Sequence, residues 1–266
     1  MTILEEIISK KKKDVTELKK HTSVKNLEKG MFFSRDTLSL RQSLKDPLKT
    51  GIIAEFKRKS PSKGVINFLA DVRYVTTGYA GEGASGLSVL TDNRFFGGSI
   101  DDLSIARKFN SIPILRKEFI IDEFQVVESK ASGADAILLL AAALENEEIV
   151  RFARLSHSLG MEVILEVHSM SELDLINEHI DIIGVNNRDL RTFNVDINVS
   201  VKIAEKIPEQ FLKISESGIS LASAVSYLRL AGYDGFLIGE HFMKTEDPVS
   251  AFSAFINEIK SGNVKD

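Results

Sequence analysis

The 266-residue chain contains no cysteine, which excludes a disulfide framework, a thiolate nucleophile and any cysteine metal site. Its five histidines, His21, His157, His168, His179 and His241, are scattered, and no pair has metal-ligand spacing, so no metal is expected. No apolar run approaches the roughly 20 residues that span a bilayer, so no membrane partner is expected. The glycine fingerprint of dinucleotide folds and the Walker-type phosphate loop are both missing. The formal net charge of −4 gives no field that would gather nucleic acid. The amino terminus, MTILEEIISKKKKDV, places acids before its lysines and has no long apolar core, so it does not read as a signal peptide. A cytoplasmic enzyme or binding protein is the expectation.

What is present is an ordinary globular composition, 43% hydrophobic and 27% charged. Thr2 to Lys20 reads as an amphipathic helix, with Ile3, Leu4, Ile7, Ile8, Val15 and Leu18 at helical spacing. The lysines from Lys10 to Lys13 read as its solvated face. His21 to Leu48 reads as a second, irregular helical segment, so residues 1–48 form a helical extension ahead of the first buried strand.

From Gly51 a rhythm begins. Strands are expected at the apolar run after Gly51, then at Gly86 to Asp92, Ile112 to Phe119, Asp135 to Ala142, Glu162 to His168, Ile182 to Arg188, Phe211 to Gly218 and Asp234 to Glu240. Helical stretches lie between them, including Asp71 to Ala80, Glu123 to Ser132, Ser171 to Glu178 and Ser220 to Ala231. Glycine pairs with alanine at several helix ends, as at Gly83, Gly133 and Gly232, where a helix stops and the next strand starts. Eight such units predict an α/β fold, a closed (β/α)8 TIM barrel formed as a single domain over 1–266. The alternative is an open doubly wound sheet.

In such a barrel the chemistry sits where the strands end. The stretch GIIAEFKRKSPSKG ends its strand on Glu55 and Lys57, which share one face because side chains alternate along a strand. The third strand ends on Arg116, Lys117 and Glu118; only one of the first two can point inward, and Arg116 is the candidate salt-bridge partner behind the barrel. Glu166 and Glu216 each follow apolar strand residues, where an unpaired carboxylate would be costly, so each needs a partner or a job. Asp92 and Asp189 read as helix caps or loop ligands, and His168 as a satisfied loop histidine. Ser217, Gly218 and Gly239, in the last two loops, let backbone N–H groups approach an anion, which points to a phosphate.

The segments EFKRKSPSKG, LTDNRFFGGS, LRKEFIID, ILEVHS, VNNRDL, ISESGI and DGFLIGE follow one another in this order, and the set closely resembles the indole-3-glycerol phosphate synthase family. The resemblance covers nearly the whole chain, helical extension included. It implies ring closure of 1-(2-carboxyphenylamino)-1-deoxyribulose 5-phosphate to indole-3-glycerol phosphate, with loss of CO2 and water and without cofactor or metal. The small phosphorylated substrate is then the expected partner, and a monomer or homodimer the expected assembly. By this resemblance Lys117 is the general acid and Glu166 the base. Glu55 pairs with the catalytic lysine, and Lys57 holds the anionic substrate and can serve as a second acid. Asn186, Arg188 and Glu216 position the substrate, and Ser60, Ser217, Gly218 and Gly239 belong to the substrate- and phosphate-contacting loops. Arg58 and Lys59 are left as solvent-facing residues. Two positions depart from the family pattern. Glu118 stands where Asp is more usual, and Glu240 where some members carry Ser or Thr. A related phosphosugar isomerase barrel would be expected to use an Asp and a Cys, and there is no Cys. A phosphate-binding barrel without catalysis would not need Glu55, Lys117 and Glu166 together.

Overall fold

The computed structural model describes residues 2–262. Eight parallel strands close on themselves: β1 (Ile52–Phe56), β2 (Gly86–Leu90), β3 (Ile114–Lys117), β4 (Ala136–Leu140), β5 (Glu162–Val167), β6 (Ile182–Asn186), β7 (Leu212–Glu216) and β8 (Gly235–Ile238). Their Val-, Ile- and Leu-rich runs suit strands covered on both faces, as a parallel barrel requires. The helices pack outside, and apolar residues such as Val75, Leu103, Val126, Phe152, Leu228 and Phe252 fill the layer between them and the sheet. Among the described residues no helix is long and apolar enough to cross a membrane.

The expected segments hold in their centres and shift at their ends. The helix expected over Ser171 to Glu178 is instead a 3-10 segment, Met170–Leu175. A two-residue hairpin pairs Lys59–Ser60 with Gly64–Val65 just after β1, too short to show a strand pattern in the sequence. Short helices also open the loops after β2 and β8, at Asn93–Phe96 and Glu240–Met243.

The helical extension divides into two working parts. Helix α1 (Ile3–His21) begins with a capping box: Glu5 N donates to Thr2 Oγ1, and Thr2 N donates to Glu5 Oε2. The segment expected to be irregular and helical contains only the turn Val24–Leu27 and the helix Leu40–Lys45. The second of these plugs the bottom of the barrel. Leu40 and Leu44 join an interior cluster with Ile53, Leu115, Ala136, Ile182 and Leu212. Glycine makes room for them. A Cβ on Gly86 would lie 2.6 Å from Leu40 Cδ1, and one on Gly235 would lie 2.7 Å from Leu44 Cδ2.

Register sets what the interior presents. Glu55 pairs with Ser88, Lys117 with Leu90, Glu166 with Gly184 and Glu216 with Asn186. Four charged side chains from β1, β3, β5 and β7 therefore face one another above an apolar floor, as alternate strands of a barrel contribute to one layer.

Candidate active site

Above that layer lies a cavity of about 560 Å³ at the carboxyl ends of the strands. All eleven residues singled out from the sequence line it: Glu55, Lys57, Ser60, Lys117, Glu166, Asn186, Arg188, Glu216, Ser217, Gly218 and Gly239.

Lys117 is the centre. Its ammonium donates to Glu166 Oε2 at 2.9 Å and to Glu216 Oε2. Arg116, one residue earlier, points out of the barrel and pairs with Glu128 at 2.7 Å, as alternation along the strand requires. Burial pushes the Lys117 ammonium toward the neutral form. The carboxylates of Glu166, Glu216 and Glu55 outweigh that and hold its pKa above the ordinary lysine value.

One ammonium cannot neutralise two buried carboxylates equally. Burial raises both. Glu166 is rescued by Lys117, by the nearby His168 and by Asn186, whose Nδ2 donates to Oε1 at 2.9 Å, and its pKa falls well below the usual range. Glu216 has fewer partners, and its Oε1 is buried without one. Burial, with the charges of Glu166 and Glu55 behind it, lifts Glu216 to about 7 despite the contact with Lys117. The pair thus splits into an ionised carboxylate and one poised near neutrality, a pattern that separates acid and base duties.

Glu55 takes a different partner from the one expected. Its Oε1 accepts from Lys57 Nζ at 2.6 Å, while the contacts of Lys117 are Glu166 and Glu216. The reason is local. Residues i and i+2 lie side by side on a strand face, whereas Lys117 is reached only across the barrel. Glu55 acts on Lys117 through its field alone.

The rim is more polar. Arg188 reaches Ser62 Oγ, Phe193 O and Glu240 Oε2, each at 3.4 Å, and its backbone N–H donates to Asn186 Oδ1. Lys63 N donates to Ser60 Oγ, which holds the hairpin over the mouth. Ser217 and Gly218 are consecutive left-handed residues, at φ 67° and 76°. Successive N–H groups in such a turn form an anion-binding concavity. Gly239 leaves space that Glu55 occupies, since a Cβ there would lie 2.7 Å from Glu55 Cβ.

Other expectations divide. Asp92 caps the helix Asn93–Phe96 by accepting from Phe95 N, and Asp189 accepts from Arg191 N and Thr192 N, as loop carboxylates do. His168 sits between carboxylates, with Nε2 3.3 Å from Glu166 and Nδ1 3.7 Å from Glu172. Burial disfavours its charge, but the two carboxylates prevail and raise its pKa. Arg58 does not face solvent. It makes a bidentate pair with Asp102 at 2.7 and 2.9 Å and donates to Ala70 O and Gly97 O, because the bend between β1 and the hairpin turns it toward the start of the helix Ile100–Phe109. Lys59 is half-buried, with Nζ donating to Arg94 O. Lys12 and Lys13 are solvated as expected, but Lys11 is buried.

Apolar walls, not evident as site residues in the sequence, close the cavity. Phe96 and Phe119 line one side, with ring centroids 6.0 Å apart, and Ile3, Leu4 and Ile7 of α1 line another. Phe119 closes the third expected strand and Phe96 lies in the loop after the second, and their aromatic character is the signal that could find them. The part played by α1 had none, because a helix that lines a pocket has the same periodicity as one packed on a core.

The indole-3-glycerol phosphate synthase family model matches residues 4–255. A relative from Bacteroides thetaiotaomicron, named indole-3-glycerol phosphate synthase, is 46% identical over 97% of this chain and 99% of its own length. One of the same name from Thermoanaerobacter pseudethanolicus is 40% identical over 98% of this chain and 99% of its own. Among solved structures, 3-hexulose-6-phosphate synthase from Salmonella typhimurium superposes with a TM-score of 0.62 at 14% identity, covering 79% of this chain and 98% of that one. At that identity the likeness is one of fold.

Proposed function

The chain belongs to the indole-3-glycerol phosphate synthase family, and from that premise we propose how its barrel mouth divides the work of the reaction. The activity is that of a carboxy-lyase in tryptophan biosynthesis, which closes the indole ring of 1-(2-carboxyphenylamino)-1-deoxyribulose 5-phosphate.

The observation that carries the assignment of roles is the Lys117 ammonium between Glu166 and Glu216 at the cavity floor. Ring closure begins when the ring carbon bearing the carboxylate attacks the ketone carbon. The ketone oxygen gains negative charge, and Lys117 supplies its proton. Held in the charged form, Lys117 is always ready to donate, and a developing alkoxide is basic enough to accept. Cleavage of the bond to the carboxylate returns its electron pair to the ring, and CO2 leaves. Dehydration then removes the new hydroxyl as water and a proton from the neighbouring carbon.

Glu166 takes that proton. Its low basicity in the resting site depends chiefly on the Lys117 charge. Once Lys117 has given up its proton, that charge is gone and Glu166 becomes a stronger base at the step that needs one. Lys57, steadied by Glu55, faces the substrate carboxylate and is the second source of a proton. Asn186 orients Glu166. Glu216 and Arg188 meet the substrate's polar groups, Ser60 shapes the covering loop, and the backbone at Ser217, Gly218 and Gly239 receives the phosphate. The apolar walls keep water from the reacting atoms and strengthen each of these interactions.

The test is formation of fluorescent indole-3-glycerol phosphate from the carboxyphenylamino substrate, with Lys117→Ala as control. An inactive wild type sinks the family activity for this chain. A fully active Lys117→Ala sinks the assignment of the acid.

A further inference from the structure

A second buried ion cluster lies at the edge of the mouth, outside the acid–base set. Lys11 reaches from α1 into the loops after β2 and β3. Its side chain is 9% exposed, and its Nζ lies 2.6 Å from Asp92 Oδ2 and 2.9 Å from Glu118 Oε1. Each carboxylate passes the contact on to the main chain. Asp92 Oδ1 accepts from Phe95 N at 2.7 Å. Glu118 accepts from Phe119 N at 2.8 Å through Oε1 and from Thr91 Oγ1 at 2.8 Å through Oε2. One ammonium therefore fixes both loops that carry the facing rings of Phe96 and Phe119.

Docking α1 does not require this. Ile7 and Val15 are already buried along the same helix, and an apolar side chain would fill the seam without the desolvation cost of three charges. What an ion cluster adds is direction, because charge-assisted hydrogen bonds are short and geometrically specific. Glu118 directly follows Lys117, so the cluster and the general acid share one strand end. The phosphate-side loops lie on β7 and β8 and contribute nothing to the cluster.

We propose that Lys11 is a positioning residue for the aromatic end of the substrate, setting the Phe96–Phe119 wall against Lys117 through Asp92 and Glu118. The wall holds the carboxyphenyl ring, and its placement decides how close the attacking ring carbon comes to the ketone. This rests on the barrel mouth being the site of ring closure.

The experiment compares wild type, Lys11→Met and Lys11→Arg in turnover of the carboxyphenylamino substrate. It also compares their binding of two probes, anthranilate by its fluorescence and inorganic phosphate by calorimetry. Lys11→Met is expected to lose about tenfold or more in kcat/KM, the scale of a displaced reactant, and to bind anthranilate more weakly. Its affinity for phosphate should change less than about twofold, and Lys11→Arg should restore most of the loss. If Lys11→Met does not fold, Glu118→Gln, which keeps the Lys11–Asp92 contact, is expected to show the same split. Equal weakening of both probes, or no change in either, overturns the proposal and leaves Lys11 as a helix anchor. A wild type that binds anthranilate without turnover fails the family reaction instead, and the split between the probes still decides the role of Lys11.

Discussion

Lys117 Nζ donates to Glu166 Oε2 across 2.9 Å, although 49 positions separate the two residues in the chain. Glu216, 99 positions from Lys117, completes the triad from a third strand. The barrel brings the proposed acid, the proposed base and a second carboxylate to one point, where they share one cationic charge.

Removing the shared cation should abolish the proton transfer to the ketone. Lys117→Ala is expected to lower kcat by about 10²–10⁴-fold, the usual contribution of a positioned acid. Product fluorescence gives the rate, and circular dichroism checks that the barrel survives the two uncompensated carboxylates.

Glu216 links stability to pH. Below about pH 4.5 the folded and unfolded chains both hold its proton. Between 4.5 and about 7 the unfolded chain releases the proton and the folded chain keeps it, so stability falls as pH rises. The decline should be on the order of 1–3 kcal/mol. Glu216→Gln cannot ionise and should flatten that part of the curve. Urea unfolding at several pH values between 4.5 and 8 measures it, and an unchanged slope in the variant would contradict the shifted carboxyl.

The plug below the site should matter for folding and not for chemistry. Leu40 is fully buried, and Leu40→Ala leaves a cavity beneath the barrel floor. A loss of about 2–5 kcal/mol is expected in denaturant unfolding, with KM unchanged at a temperature where the variant is folded.

In the loop after β7, Gly218 holds φ 76°, and a Cβ there would run into the Val195 side chain. Gly218→Ala should strain the turn by about 1–3 kcal/mol and misdirect its N–H groups. Weaker inhibition by inorganic phosphate and a raised KM, with a smaller effect on kcat, are the expected readouts.

Alternation along single strands was legible without any structure. It put Glu55 beside Lys57 and set Arg116 and Lys117 on opposite faces, because those relations depend only on neighbours within two residues. The eight-unit rhythm and the glycines at helix ends likewise carried the barrel, since each strand and helix needs its own local pattern. The order of the motifs carried the family.

Partners across the barrel were decided only in three dimensions. Which carboxylates meet Lys117 depends on the register of eight strands closing into one ring, a property no single segment contains. For the same reason Lys11 looked like one more solvated lysine in a run of four. It meets Asp92, 81 positions away, only because α1 lies across loops that form later in the chain, and burial is set by what covers a residue and not by the residues beside it in sequence.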